Sequence, residues 1–553
     1  MSKFLQYLQI GFLGWGMTSC ANVVAPDGGP RDEAPPVVIE AQSTPNLQTN
    51  FEKQTIELTF DEWVELKDVF NQVVISPPLE YPFELKIKRR TVRFEFDEAE
   101  ELRPNATYTI NYGEAIQDLN ERNPVENLRF VFSTGDYIDS LRVTGKIVDA
   151  QTNEPLKGIL FMLYENTADT VVRTERPFYF GKTNEEGLFT IENVKAGQFK
   201  GFALKDADFN YKFTQNTEQI GFPDTLLTLS EEHQPHLEIK LFQEARQLRI
   251  VEIDTSRFGL VKLGFNRTPN GMTYQAPDFN GELTEEYVKD TLKLWYTEEQ
   301  QNPWQLLVTQ DTLLRDTLLI PVRSKENFVE NGKLRTLLKA QKKVLRQMPG
   351  KPMVIEYSHP LASFDTAAIH LYEDTLHIRV TPEISFDTMA GRNLQLSFPW
   401  KEGMPYELEL LPGAVTDVFG LSSQDSLLQK YVGDSRKNFG NLILTLSGLD
   451  STENYIIQLW QQDKNQVSEL QSRGSSVFNH TYHLLAPGEY TVRVITDWNG
   501  NGYWDPGLYD DLRQPEPIYR KKMQQLRANW DLEAEVVLGV VEPVEVEEEK
   551  EKN

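Results

Sequence analysis

Thr55-Ile-Glu-Leu-Thr-Phe60, Thr91-Val-Arg-Phe-Glu-Phe96 and Thr107-Tyr-Thr-Ile-Asn-Tyr112 each alternate apolar and polar residues. A period of two sends successive side chains to opposite faces, the pattern of half-buried strands and not of helices. Similar short runs, broken by Asn, Asp, Gly and Pro, continue along nearly the whole chain and predict β-sandwiches. One stretch departs from this. Asn331 to Met348 places Leu334, Leu337, Leu338, Val344, Leu345 and Met348 at helical spacing before Pro349–Gly350, so a short helix is expected there. The expected fold class is all-β: a tandem array of sandwiches with one short helix.

The chain also repeats itself in two ways. Across residues 54–136 and 352–434, Glu57-Leu-Thr-Phe-Asp-Glu-Trp-Val64 is echoed by Val354-Ile-Glu-Tyr-Ser-His-Pro-Leu361. Ala115-Ile-Gln-Asp118 is echoed by Ala414-Val-Thr-Asp417, and both units close on Gly-Asp, at Gly135–Asp136 and Gly433–Asp434. Residues 187–213 and 478–504 form the second repeat, in which Asp206, Asp208 and Asn210 fall on Asp497, Asn499 and Asn501 at one constant offset. The order is therefore A (37–138), B (139–245), C (246–350), A′ (351–437) and B′ (438–540). A Pro- and Gly-rich linker (20–36) precedes A, and an acidic tail (541–553) follows B′.

Module A carries TIELTFDEWVELKD (55–68), ELRPNATYTINYGEAIQDLNERN (101–123) and RFVFSTGD (129–136). It resembles the bacterial Ig-like domain of the SbsA type, first described in S-layer proteins, and A′ resembles a degraded copy. Module B, with VTGKIVDAQTNEPLKG (143–158) and TNEEGLFTIENVKAGQF (183–199), resembles the carboxypeptidase regulatory-like, transthyretin-type β-sandwich. The whole arrangement resembles Ig-like-domain lipoproteins of the Bacteroidota. These resemblances imply Ig-like and transthyretin-like sandwiches in series and an envelope compartment. About chemistry they imply almost nothing.

The N-terminus points to the same compartment. Met1-Ser-Lys3 is followed by a mainly apolar stretch to Met17 and then Thr18-Ser-Cys20, so residues 1–19 read as a secretory signal. Cys20, the only cysteine in 553 residues, resembles the acylated cysteine of a lipobox and is expected to be lipidated. The apolar run is too short to cross a bilayer, so attachment would be through lipid on Cys20, with outer membrane as the expected location and its face undetermined. With 83 acids against 56 bases the net charge is −27, which excludes a nucleic-acid binder.

Sequence motifs for chemistry are sparse. Asp497, Asn499, Asn501, Tyr503 and Asp505, with Gly502 at the sixth position, follow the spacing of a calcium loop. Leu508 stands where the twelfth-position carboxylate belongs, leaving Asp510 or Asp511 to replace it; no other cofactor is expected. The competing reading is an Asx-stabilised turn. His233 with His236, and His480 with His483, have no third ligand for zinc. Asp61–Glu62 would point to opposite faces of a strand, and Asp118 and Asp417 read as turn formers. In the expected helix, Lys333, Arg335, Lys339, Lys342, Lys343 and Arg346 make a basic cluster fit for an acidic partner or lipid headgroups.

The sequence thus favours a non-enzymatic, lipid-anchored scaffold that binds outer-membrane or envelope proteins, as a subunit of an assembly or transport complex. Two alternatives stay open. One is a glycan-binding surface lipoprotein using exposed aromatics such as Trp63, Trp498, Tyr503 and Trp504; the other is a hydrolase with its site in residues 246–350.

Overall fold

A computed structural model describes residues 34–539 except 126–127, 216, 311–313, 339–342 and 388–390. Cys20, the signal segment, nearly all of the linker and the acidic tail lie outside the described residues. The described chain is nearly all β, and its one helix longer than a single turn is Lys325–Asn331. It falls into two compact units. The first holds the described residues up to Ile147 with Leu156–Phe213 and Phe222–Ile239. The second holds Val148–Pro155, Thr214–Gly221 and the chain from Lys240 onward.

In module A the alternation does what it predicted. Strand Ile56–Thr59 pairs antiparallel with Thr91–Glu95, setting Ile56 opposite Phe94 and Leu58 opposite Val92, all buried. Strand Thr107–Asn111 pairs with Arg129–Ser133, and Tyr108 stacks on Phe132 with ring centroids 5.1 Å apart. A small third sheet joins Val64–Leu66 to Ile116–Asp118. Module A′ repeats the plan: Met353–Glu356 pairs with Asn393–Ser397, Pro405–Leu410 with Leu427–Gly433, and Leu361–Phe364 with Val415–Asp417. Even a local detail recurs. The Arg103 N–H donates to the Tyr108 hydroxyl at 2.8 Å, and the Lys401 N–H to that of Tyr406 at 2.8 Å.

The B modules repeat as faithfully. Asn193 and Leu484, equivalent by the repeat offset, both bulge in the left-handed region, at φ 59° and 55°. Module C, the stretch with least resemblance to anything, is a further sandwich. Its sheets are built from Ile250–Asp254, Leu260–Phe265, Thr291–Trp295 and Thr284–Val288, and from Thr273–Gln275, Trp304–Gln310 and Leu314–Ile320. Its core around Trp304 and Leu292 also takes in Phe419 from A′. Gly259 makes that insertion possible: its φ is +81°, and a Cβ there would lie 2.3 Å from the Phe419 ring.

The expected helix over 331–348 is a correction. Helix Lys325–Asn331 forms earlier, capped by the Ser324 Oγ accepting from the Asn327 N–H and ended at Gly332. Beyond it the described residues run extended: the Leu337 N–H donates to Glu356 O, the Ser358 N–H to Arg335 O, and Leu345–Gln347 pairs in parallel with Tyr431–Gly433. Leu334 is buried in the A′ core, with Leu338 and Leu345 packed against it, while Leu337 and Val344 face outward. Open ladder positions on the A′ sheets offer these backbone groups partners, and that tertiary pairing overrides the helix propensity of a Leu- and Lys-rich segment.

Candidate functional sites

The strand Tyr490–Asp497 delivers Asp497, 1% exposed, to the head of the predicted calcium loop. Its Oδ1 accepts the Asn501 N–H at 3.1 Å and its Oδ2 the Gly502 N–H at 2.9 Å. Gly502 sits at φ +84°, which only glycine adopts at no steric cost. The Asn499 and Asn501 amides both donate to Asp505 Oδ2, at 2.6 and 2.7 Å. Tyr503 takes part through its N–H, which donates to Asn501 Oδ1 at 3.0 Å. The loop therefore closes on itself through hydrogen bonds. The related loop in module B does likewise: Asp206 accepts N–H groups from Asp208, Asn210 and Tyr211, and Phe209 and Tyr211 hold the positive φ that Gly500 and Gly502 hold in B′.

The carboxylate that joins the B′ loop is Glu516, which the spacing did not suggest. Its Oε1 accepts the Trp498 N–H and its Oε2 the Asp505 N–H, each at 2.9 Å. Asp510 and Asp511 lie instead on a 3₁₀ turn, Tyr509–Asp511, with both side chains exposed. Burial pushes the Glu516 carboxyl up to about 7, helped by the neighbouring charges of Asp505 and Asp497 and opposed by the two N–H donors. Because the folded value lies above the ordinary 4.5, the protonated form adds stability below pH 4.5 that is lost as pH rises through about 7. The wild type is expected to lose on the order of 2 kcal/mol more than Glu516→Gln between pH 5 and 8. Parallel chemical unfolding at the two pH values checks this, and equal slopes would sink it.

The four basic residues of this cluster that are described do not lie on a helix. Lys333, Arg335, Lys343 and Arg346 are exposed along the extended segment, and Arg346 pairs with Asp434 at 2.8 Å; Lys339 and Lys342 lie outside the described residues. The carboxylates weighed as acids are engaged structurally. Asp61 Oδ1 accepts the Val37 N–H at 2.9 Å, Asp118 caps a turn, and Asp417 holds His359 at 2.7 Å. His370, whose Nδ1 lies 2.9 Å from Glu409 Oε2, went unnoticed in the sequence because cross-strand register alone joins them. Among the described residues no helix is long and apolar enough to cross a membrane.

Comparison with known proteins identifies one module. Residues 32–134 match the family model of the bacterial Ig-like domain, so this part of the chain is an Ig-like domain. No curated protein matches the chain. Among solved structures it is similar to the Bacillus anthracis TIE protein, at 9% identity over 93% of this chain and 76% of that one, TM-score 0.16. It is similar also to the Bacteroides ovatus mixed-linkage glucan utilization locus SGBP-B in complex with a mixed-linkage heptasaccharide, at 9% identity over 69% and 92%, TM-score 0.16. A third is BcpA, the major pilin subunit of Bacillus cereus, at 10% identity over 72% and 99%, TM-score 0.14. Overlaps with scores this low carry no argument.

Proposed function

We propose that this chain is a non-catalytic, lipid-anchored scaffold of the outer membrane whose sandwiches position envelope proteins, as a subunit of an assembly or transport complex. The observation that carries the reading is how the chain uses its buried polar groups. Where C meets A′, Arg392 donates to Glu286 at 2.7 and 3.1 Å and to the Tyr357 carbonyl at 2.8 Å. Nearby, the His359 ring nitrogens lie 2.7 Å from Asp417 and 3.1 Å from Arg257. Such groups fix one sandwich against another, the work of a positioning device. Affinity purification of the tagged chain from detergent-solubilised outer membranes, with mass spectrometry, tests it. A stoichiometric envelope protein is expected, along with release of Cys20→Ala from the membrane fraction. A chain that purifies alone would remove the scaffold reading.

The 497–505 loop is proposed to take calcium, with Asp497, Asp505 and Glu516 supplying carboxylates and the Asn499 and Asn501 amides turning their oxygens inward. A divalent ion would hold Glu516 ionised. Calcium is therefore expected to raise the melting temperature and flatten the pH slope described above, and Asp505→Ala to abolish both effects. Melts unchanged by calcium would leave the loop a hydrogen-bonded turn only.

A further inference from the structure

A cleft of about 490 Å³ opens in the second unit where residues 149–151, 241–246, 266–270 and 504–506 meet. That volume lies within the roughly 300–1,000 Å³ typical of small-ligand sites, and junctions of several modules are where such sites gather. Its charged groups are largely committed to the protein. Asp149 accepts the Gln151 and Thr152 N–H groups, Glu244 accepts the Tyr509 N–H, and Arg267 donates to Arg246 O, Thr268 O and Gln310. The groups left over are different in kind. Among the described residues the side chains of Gln151, Arg246, Thr268 and Asn270 make no hydrogen bond or ion pair. The Oε1 of Gln219, which also lines the cleft, is buried without any partner. A buried acceptor left unmade costs about 1–3 kcal/mol, and this oxygen gains a donor only if the side chain turns into the cleft.

One wall is aromatic. Trp504 lines the cleft with its ring held in place, since its indole N–H donates to the Glu516 carbonyl at 2.9 Å. A fixed ring plane beside amides, a hydroxyl and one guanidinium suits a ligand with a weakly polar C–H face and a rim of hydroxyls. Each hydroxyl both donates and accepts, as these amides and the threonine do. An apolar ligand would leave the amides unpaired, and a phosphate would meet Asp149 and Glu244. We propose that the cleft is a binding site for a neutral carbohydrate unit of about disaccharide size. The proposal goes beyond the scaffold reading and does not rest on it.

Isothermal titration of the full chain with cellobiose, maltose and lactose, each to about 10 mM, tests the proposal at the affinity a few new hydrogen bonds supply. At least one sugar is expected to bind, about tenfold more weakly to Gln151→Ala/Arg246→Ala, from the loss of one or two hydrogen bonds. Both changes are on exposed side chains, so the melting temperature should hold. Trp504→Leu is expected to lose the binding altogether, and saturation-transfer NMR on the wild type should show the sugar C–H protons nearest a protein ring. The site is overturned if none of the three sugars binds. It is equally overturned if binding persists undiminished in both variants, which would place the sugar elsewhere.

Discussion

Replacing Arg392 by methionine is expected to destabilise the second unit by about 3 kcal/mol, the usual cost of removing one partner from a buried ion pair. The guanidinium is 11% exposed and so is the Glu286 side chain it faces. Burial would raise the Glu286 carboxyl, but hydrogen bonds from Trp295 and Lys293 and the Arg392 charge hold it below its ordinary value. Without Arg392 that carboxylate keeps Lys293 and the Trp295 indole yet loses a guanidinium bonded to it twice, while the Tyr357 carbonyl loses its donor. Lysine should not rescue the loss, because one ammonium cannot reach Glu286, Glu356 and the carbonyl together as the planar fork does. Replacing Glu286 and Arg392 together by methionine should cost less than the two single changes summed, since the two charges removed face each other, although Lys293 then also loses its carboxylate. Chemical denaturation of the three variants measures this; a single-variant cost below about 1 kcal/mol would mean the pair is open to water.

Periodicity made the strands legible, because side-chain alternation is a property of each short segment. Strand Thr91–Glu95 shows it plainly: its buried residues are the apolar Val92 and Phe94. The duplication was legible for the same reason, and it carried down to the tyrosine hydroxyls of Tyr108 and Tyr406. What was not legible is everything set by chain segments meeting from afar. The leucines of 331–348 are spaced for a helix, yet open ladder positions around Tyr431 and Glu356 drew the described residues on either side of 339–342 into extended structure. Glu516 lies eleven residues beyond Asp505 and is brought back to it only by the return of the chain after the 3₁₀ turn. The cleft residues Gln151, Arg246 and Trp504 share no motif at all. Sites assembled across modules have no period to betray them.

Asp118→Ala is expected to cost about 2–3 kcal/mol, and Asp417→Ala distinctly more, although the two residues are equivalent in the repeat. Asp118 is 1% exposed and accepts four backbone N–H groups: Asn120, Glu121 and Arg122 on Oδ1, at 2.7, 2.6 and 3.1 Å, and Asn123 on Oδ2 at 2.9 Å. Burial works to raise its carboxyl, and the four donors overcome this and hold it below the ordinary 3.8. A depressed folded value means that its contribution is present above the unfolded pKa and lost as pH falls through the folded one. Local amide protection across residues 116–125 should thus fail in acid before the rest of module A, and Asp118→Ala should show that failure already at neutral pH. The donors lie in a partly exposed turn, so water can replace part of what they lose. Asp417 has no such relief. Its Oδ1 accepts the Phe419 and Leu421 N–H groups, and its Oδ2 holds His359, 3% exposed, among the rings of Trp295, Phe328 and Phe419. Removing that carboxylate strands a buried imidazole whose other nitrogen faces Arg257, and it loosens the turn that presents Phe419 to the core of C. Asp417→Ala should therefore expose the strands of C as well as A′ to hydrogen exchange, whereas Asp118→Ala should leave every amide outside module A as protected as before. Equal costs for the two variants, or protection in C untouched by the second, would show that the Asp417–His359 pair does not couple C to A′.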